Sequence, residues 1–186
     1  MRCGIGGRMG MWCVRRRRYV KLFMTIPEPY AEIKTAFQQA AILAGVPIPL
    51  SEIEVQFSAA PHIPPKLLPT EKIAVYVFMF GDRCLKVGKA GPKSAARFCS
   101  HHYGANRAPS TLAKSLVNSA GAIGDSGLDD TNVGAWIRQH TTRVNFLIPL
   151  KYGVFALSLL EAFVQCRLKP EFEGFASQQG SPDGMQ

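Results

Sequence analysis

The sequence predicts an α+β fold, in which a small mixed or antiparallel sheet is flanked by helices, with an N-terminal helix and a helical insertion. An apolar, β-rich run at residues 73–80 is followed by a polar turn and a second short strand at 84–88, which together indicate an antiparallel hairpin. Residues 143–150 are typical of a third strand, and the mostly apolar residues 153–170 are typical of a long helix ended by Pro170. The order β-β-α-(α-α)-β-α is that of an α+β protein.

The chain before the hairpin begins with a basic leader. Residues 1–23 hold seven arginines and lysines and no acid, and the rest of the chain contributes only +2 to the net charge of +9. Arginines interrupt the segment and no apolar region precedes a cleavage site, so it does not resemble a signal peptide. We interpret it as an untranslated or disordered leader upstream of a natural start at Met24. The alternative is a basic arm that grips phosphates.

Residues 24–70 are predicted to form an N-terminal helix and a proline-rich connector. Apolar residues follow a helical spacing from Tyr30 to Ala44, and Gly45 ends the helix. Residues 46–70 contain six prolines and a short alternating run typical of a strand. We interpret this segment as a connector, or alternatively as a stiff arm that wraps the following domain.

The main domain is predicted over residues 71–176, with a flexible tail at 177–186. Pro92 is expected to begin a helix that runs to Gly104. The segment 105–142, with two helical stretches, exceeds a minimal connection. We expect this insertion, with the N-terminal helix, to contact DNA or a second copy of the chain.

Composition narrows the class of protein. A chain of 186 residues with 47% hydrophobic and 19% charged residues can bury one core, and no apolar stretch is long enough to cross a bilayer. The five cysteines are scattered without a CxxC pair, which favours reduced thiols over a disulfide framework or a zinc site. The sequence therefore predicts a soluble, cytoplasmic protein.

Positive charge is concentrated in the main domain. Seven cations and no carboxylate lie from Arg83 to Gly124, which predicts a face suited to phosphates, unless these cations form an ordinary solvated surface. Arg97 and His101 are four residues apart and are expected to share one helical face, whereas His102 is expected to be a bystander on another face. The other residues expected to contact nucleic acid are Lys89, Lys93, Arg107 and Lys114.

The spacing of residues excludes two familiar kinds of site, a phosphate-binding loop and a zinc site. The run GKAGPKS lacks the glycine that must precede Lys-Ser in a phosphate-binding loop. Cys99, His101 and His102 have no second ligand pair at a usable spacing for zinc.

Glu161 is flanked by apolar residues in the last helix, so we expect a cation or a metal ion beside it, unless it lies on a solvent-exposed helix face.

The ordered set of Val75-Tyr76-Val77, Lys86-Val87-Gly88, Arg97, His101 and Glu161 resembles the GIY-YIG nuclease domain over roughly residues 71–176. Lysine replaces the second tyrosine of that motif at position 86, as in a restriction-enzyme branch of the family. Glu173 stands where the family often has asparagine, which places one supporting contact in doubt.

This resemblance implies a metal-dependent DNA endonuclease, of restriction or phage-defence type. It implies that Tyr76 activates water with Lys86 as the cation that stabilises the phenolate, because free tyrosine, with a pKa of about 10, is a poor base. It further implies that Arg97 holds the scissile phosphate, that His101 orients groups or relays a proton, and that Glu161 anchors Mg²⁺ or Mn²⁺. The alternative from another class is a non-catalytic module that binds nucleic acid. A homodimer is compatible with either.

Overall fold

Four antiparallel strands form one sheet whose order differs from their order in the sequence. The computed structural model describes residues 26–106, 111–124 and 127–172. The strands are β1 (Glu54–Ser58), β2 (Lys72–Phe80), β3 (Arg83–Ala90) and β4 (Thr142–Pro149), arranged β1-β4-β2-β3. Strands β2 and β4 are therefore central, and β1 and β3 are the edges. The predicted α+β class is confirmed.

Helices cover both faces of the sheet. They are α1 (Glu28–Leu43), α2 (Ala95–Cys99), α3 (Leu112–Asn118), α4 (Val133–His140) and α5 (Gly153–Leu168). Helices α1 and α5 pack on one face, where Phe37 and Leu160 meet Val75 and Phe146 in what we call the first core. Helices α2, α3 and α4 cover the other face, which is the second core. Within the described part of the chain, none of these helices is both long and apolar enough to cross a bilayer.

The proline-rich segment contributes a strand to the sheet. Ile53 and Val55 are buried, and Val55 pairs with Phe146 of β4. The alternation of apolar residues in this segment predicts a strand, and the structure places it at the edge next to β4. Helix α1 and strand β1 thus share the first core with the rest of the sheet.

A β-bulge in the hairpin decides which face Lys86 occupies. Met79 pairs with Cys84 and Phe78 pairs with Lys86, so Leu85 is an extra residue of β3. In a regular hairpin with the same turn, Lys86 would lie opposite Val77 and face α5. One extra residue reverses the alternation of side chains along β3, so Lys86 instead lies on the same face as Tyr76. Lys86 pairs with Phe78, and Tyr76 is two residues from Phe78 along β2.

The helix predicted from Pro92 to Gly104 is wrong at both ends, because α2 begins only at Ala95, with Ser94 as its N-cap residue. Helix α2 ends at Cys99, and Ser100 has the non-helical angles φ −135° and ψ −27°. His101–Tyr103 then form a separate 3₁₀ turn, which has a different side-chain spacing from an α-helix. Arg97 and His101 therefore do not share one helical face, and the turn directs His102 into the second core.

Candidate functional site

Tyr76 is the centre of a polar cluster in the second core, whose other members are Lys86, His102 and Arg143. It lies on the central strand β2, where it pairs with Gly88 of β3 and Asn145 of β4, and only 1% of its surface is exposed. A Cβ atom at position 88 would lie 2.5 Å from the Tyr76 hydroxyl oxygen and 2.7 Å from its Cζ. Glycine at position 88 therefore leaves the space that the Tyr76 ring occupies.

Gly88→Ala is expected to destabilise the fold by about 1–3 kcal/mol, because an added methyl group in a packed site must displace its neighbours. Urea denaturation measures this change. Gly91→Ala is the matched control, since a Cβ there meets nothing within 4 Å. Equal stability of the two variants would show that the Tyr76 ring does not lie against Gly88.

His102 holds the Tyr76 hydroxyl. Its Nε2 is 2.7 Å from the Tyr76 oxygen, and its Nδ1 accepts a hydrogen bond of 3.1 Å from the Leu112 backbone N–H. Because Nδ1 accepts, neutral His102 carries its proton on Nε2 and donates it to Tyr76. Burial and the nearby positive charges, Lys86 first among them, lower the pKa of His102 to about 3. The expectation that His102 is a bystander is therefore wrong.

This low pKa predicts that the protein loses stability in acid. Below pH 6.5 an unfolded chain binds a proton at His102, while the folded protein does not until about pH 3. The free energy of unfolding should therefore fall by about 1.4 kcal/mol per pH unit across this window from His102 alone. Urea denaturation at several pH values measures the slope.

The matching variants are His102→Gln and His101→Gln. The first should show a shallower pH slope, and the second should keep the parental slope. Some slope should remain in both, because burial also lowers the pKa of His62. A parental slope in His102→Gln would show that His102 is not held neutral by the fold.

Arg143 is a buried cation, 1% exposed, that ties β4 to the helices of the second core. Its Nε donates to Asn145 at 2.9 Å, and its terminal nitrogens donate to the Phe98 carbonyl at 2.6 Å and the Tyr103 hydroxyl at 3.1 Å. The guanidinium carbon lies 5.5 Å from the Tyr76 ring centroid and closer to two phenylalanine rings. Each of these three hydrogen-bond partners is neutral, so Arg143 adds positive charge beside Tyr76.

A second buried cation lies on the other side of Phe78. Lys86 and Arg143 both pair with Phe78, from β3 and β4 respectively, so the two cations flank one position of β2 on the Tyr76 face. The Lys86 Nζ donates to the Phe172 carbonyl at 3.0 Å. The structure thus places Lys86 near Tyr76, diagonally across the hairpin rather than directly opposite it.

Arg97 and His101 lie at the outer side of this cluster. Arg97 is exposed on α2, and His101 is half-buried at the start of the 3₁₀ turn. Both add to the positive field that lowers the pKa of His102, after burial, Lys86 and Arg143. The structure therefore brings four of the five predicted catalytic residues around His102.

Glu161, the fifth, approaches the sheet from the opposite face. Its carboxylate lies 2.7 Å from the Nζ of Lys89, which also donates to Ser158 at 3.2 Å. Lys89 pairs with Val75, so it points to the first core, away from Tyr76 and Gly88. The cation expected beside Glu161 is thus present, and it is a lysine.

The remaining predicted contacts with nucleic acid are distributed over the surface. Lys93 and Lys114 are exposed, whereas Lys89 is held by Glu161. Arg107 and Glu173 lie outside the described residues, as do the leader and the tail. In the described ranges, no three histidine, cysteine or acidic side chains form a group that would hold a metal ion.

Comparisons with known proteins assign no family to this arrangement. Neither a family model, nor a curated protein, nor a solved structure matches the chain.

The site contains residues that sequence reasoning missed. Arg143 and Asn145 are two apart in a predicted strand, so period-2 alternation would have placed both on one face and raised the question of what they contact. No local signal locates His102, because its partner Tyr76 is 26 residues away and the break at Ser100 is not marked by glycine or proline.

Proposed function

We propose that this chain is a Mg²⁺- or Mn²⁺-dependent DNA endonuclease that hydrolyses phosphodiester bonds in a GIY-YIG-like manner, in the cytoplasm. The observation that supports this proposal best is the environment of Tyr76. Its hydroxyl oxygen accepts a hydrogen bond from neutral His102. Lys86 and Arg143 lie on either side of Phe78, which is two residues from Tyr76 along β2. An N–H donor and positive charges stabilise a phenolate, which is the form of tyrosine that can accept a proton from water.

The other residues have roles that follow from their positions. Arg97, exposed beside the Tyr76 cluster, binds the scissile phosphate and the charge that develops on it. His101 orients the phosphate or relays a proton at the same side. Because β3 is an edge strand, a phosphodiester lying over its edge can contact groups from both faces of the sheet.

Glu161 provides a ligand of the type that magnesium prefers. Mg²⁺ usually keeps several waters and is held by one or two carboxylates together with substrate phosphates, so a single glutamate suits this mode of binding. The metal ion would neutralise charge on the leaving oxygen. Lys89 must release the carboxylate for this to occur, and the freed ammonium group is then available to a DNA phosphate.

A non-catalytic module that binds DNA is the second candidate, and two observations favour it. Tyr76 is almost fully buried, as a structural core tyrosine would be, and Glu161 already has a lysine as its partner. In this alternative the cations bind phosphates while Tyr76 and His102 serve only to pack the second core.

Plasmid cleavage separates the two candidates. Purified protein is incubated with supercoiled plasmid and with Mg²⁺, Mn²⁺ or EDTA, and nicked and linear products are resolved on a gel. Metal-dependent nicking supports the endonuclease. A gel shift of the same DNA without cleavage in either metal supports the binding module.

A further inference from the structure

A cleft in the insertion has the chemistry of a nucleobase site. It lies along α4 beside the preceding loop and has a volume of about 380 Å³. Leu128 and Ala135 supply apolar walls, Trp136 and His140 supply aromatic ones, and Asn132 and Gln139 carry amides. Apolar and aromatic walls with a few polar groups are typical of sites for small ligands.

The aromatic side of the cleft is held in place from behind. The Trp136 ring packs against Phe80 of β2 with centroids 5.1 Å apart, and the His140 ring lies 5.2 Å from it with the planes tilted by 38°. Trp136 is half-buried and His140 is exposed, so both rings present surface to the cleft. Aromatic rings fixed in this way stack with any base, because every base has a π-face.

The two amides of the cleft have different roles. Asn132 accepts a hydrogen bond from the Asp129 N–H and donates one to the Gly127 carbonyl, so it shapes the loop. Gln139 is exposed, and its amide offers one acceptor and a donor to a ligand. Such an amide can bind the edge of a base.

The cleft belongs to the element next to the candidate site. Gly134 of α4 lies against the carbonyl of Tyr103, so closely that a Cβ atom would overlap that oxygen. Arg138 of α4 lines a small hollow together with Ser100 and Tyr103, next to the turn that carries His101. A nucleic-acid strand that contacts Arg97 and His101 can therefore continue past Arg138 to α4.

We infer that this cleft binds one unpaired nucleobase of the DNA substrate, stacked on Trp136 and His140 and contacted by Gln139. The inference rests on the proposed function. An unpaired base is required because a base within a duplex is stacked and paired, and its face is not available. The cleft therefore directs the protein to single-stranded or locally opened DNA.

Tryptophan fluorescence tests this inference directly, because the sequence contains only Trp12 and Trp136. In Trp12→Phe protein, Trp136 is the sole tryptophan. This protein is titrated in EDTA with a labelled single-stranded oligonucleotide and with an abasic deoxyribose-phosphate oligomer of equal length, and label anisotropy reports binding. We expect the first to quench Trp136 and the second to bind without quenching. Equal quenching by both, or none by either, would overturn the inference.

A blocking variant tests the site without disturbing Trp136. Ala135 is exposed on α4, and Ala135→Glu places a carboxylate in the cleft. Affinity for the base-containing oligonucleotide should fall about tenfold or more, since a stacked base contributes that much, while affinity for the abasic oligomer falls by much less. Ala59→Glu, at an exposed position just after β1, makes the same change away from the cleft. Equal losses in the two variants would refute the site.

These measurements are independent of catalysis because EDTA prevents metal-dependent cleavage. Quenching without plasmid nicking in Mg²⁺ or Mn²⁺ would support the base site and refute the endonuclease proposal. Nicking without quenching would support the endonuclease proposal and refute the base site.

Discussion

Glu161→Gln is expected to abolish metal-dependent DNA cleavage while the protein stays folded. Glutamine keeps the size of the side chain but removes the charge that holds a divalent cation. Calorimetric titration of Mg²⁺ or Mn²⁺ into the variant with bound DNA should show no binding at this site. DNA affinity should be unchanged or slightly higher, because the substitution removes a negative charge and frees Lys89 from its ion pair.

The chain offers a close control for this substitution. Glu52 also lies 2.7 Å from a lysine, Lys151, and its side chain is 32% exposed, against 20% for Glu161. Each pair is partly exposed, so solvent screens the attraction and its loss should cost little stability. Glu52→Gln should cleave like the parent. Parental metal binding or parental cleavage by Glu161→Gln would show that Glu161 is not the metal ligand.

Tyr76→Phe is expected to lower the cleavage rate by a factor on the order of a hundred or more, as for loss of a positioned general base. Metal binding should persist, because Glu161 is unchanged. The variant leaves the Nε2–H of His102 without its acceptor, and an unsatisfied buried donor costs about 1–3 kcal/mol of stability. Cleavage must therefore be measured at a temperature where denaturation curves show the variant to be folded.

Tyr103→Phe controls for that loss of stability. The Tyr103 hydroxyl accepts a hydrogen bond from Arg143 and lies 2.8 Å from Nε2 of His62, so its removal also disturbs a buried network. Tyr103 has no role in the proposed reaction, and its variant should retain cleavage within a few-fold of the parent. A parental rate in Tyr76→Phe would show that Tyr76 is not the general base.

The spacing of apolar residues in the sequence was sufficient to predict several of the helices and strands. Period-2 and helical spacing predicted α1, the β2–β3 hairpin, β4 and α5, because each buries one face against a neighbour and that requirement determines which positions are apolar. The alternation in the proline-rich segment is typical of a strand, but we interpreted the segment as a connector, whereas it supplies β1 of the sheet. Its place beside β4 could not be predicted, since β1 and β4 are separated by more than eighty residues and many pairings satisfy the same pattern.

The candidate site was less predictable, for two physical reasons. The bulge at Leu85 reverses the face of Lys86, and a single extra residue in a strand leaves no mark in composition. The helix break at Ser100 moves His102 inward, where hydrogen bonds from distant elements stabilise the turn. Residue types indicated the chemistry, but their positions on the two faces of the sheet depended on these irregularities.

The segment after α5 has a consequence for self-association. Glu171 and Phe172 donate backbone hydrogen bonds to the carbonyls of Cys84 and Leu85, and Arg83 forms a two-bond ion pair with Glu171. These residues cover the beginning of β3, an edge strand whose backbone groups would otherwise be available to another chain. Truncation at Pro170 would therefore uncover a template for intermolecular strand pairing, and the shortened protein should aggregate on storage even where its core remains intact.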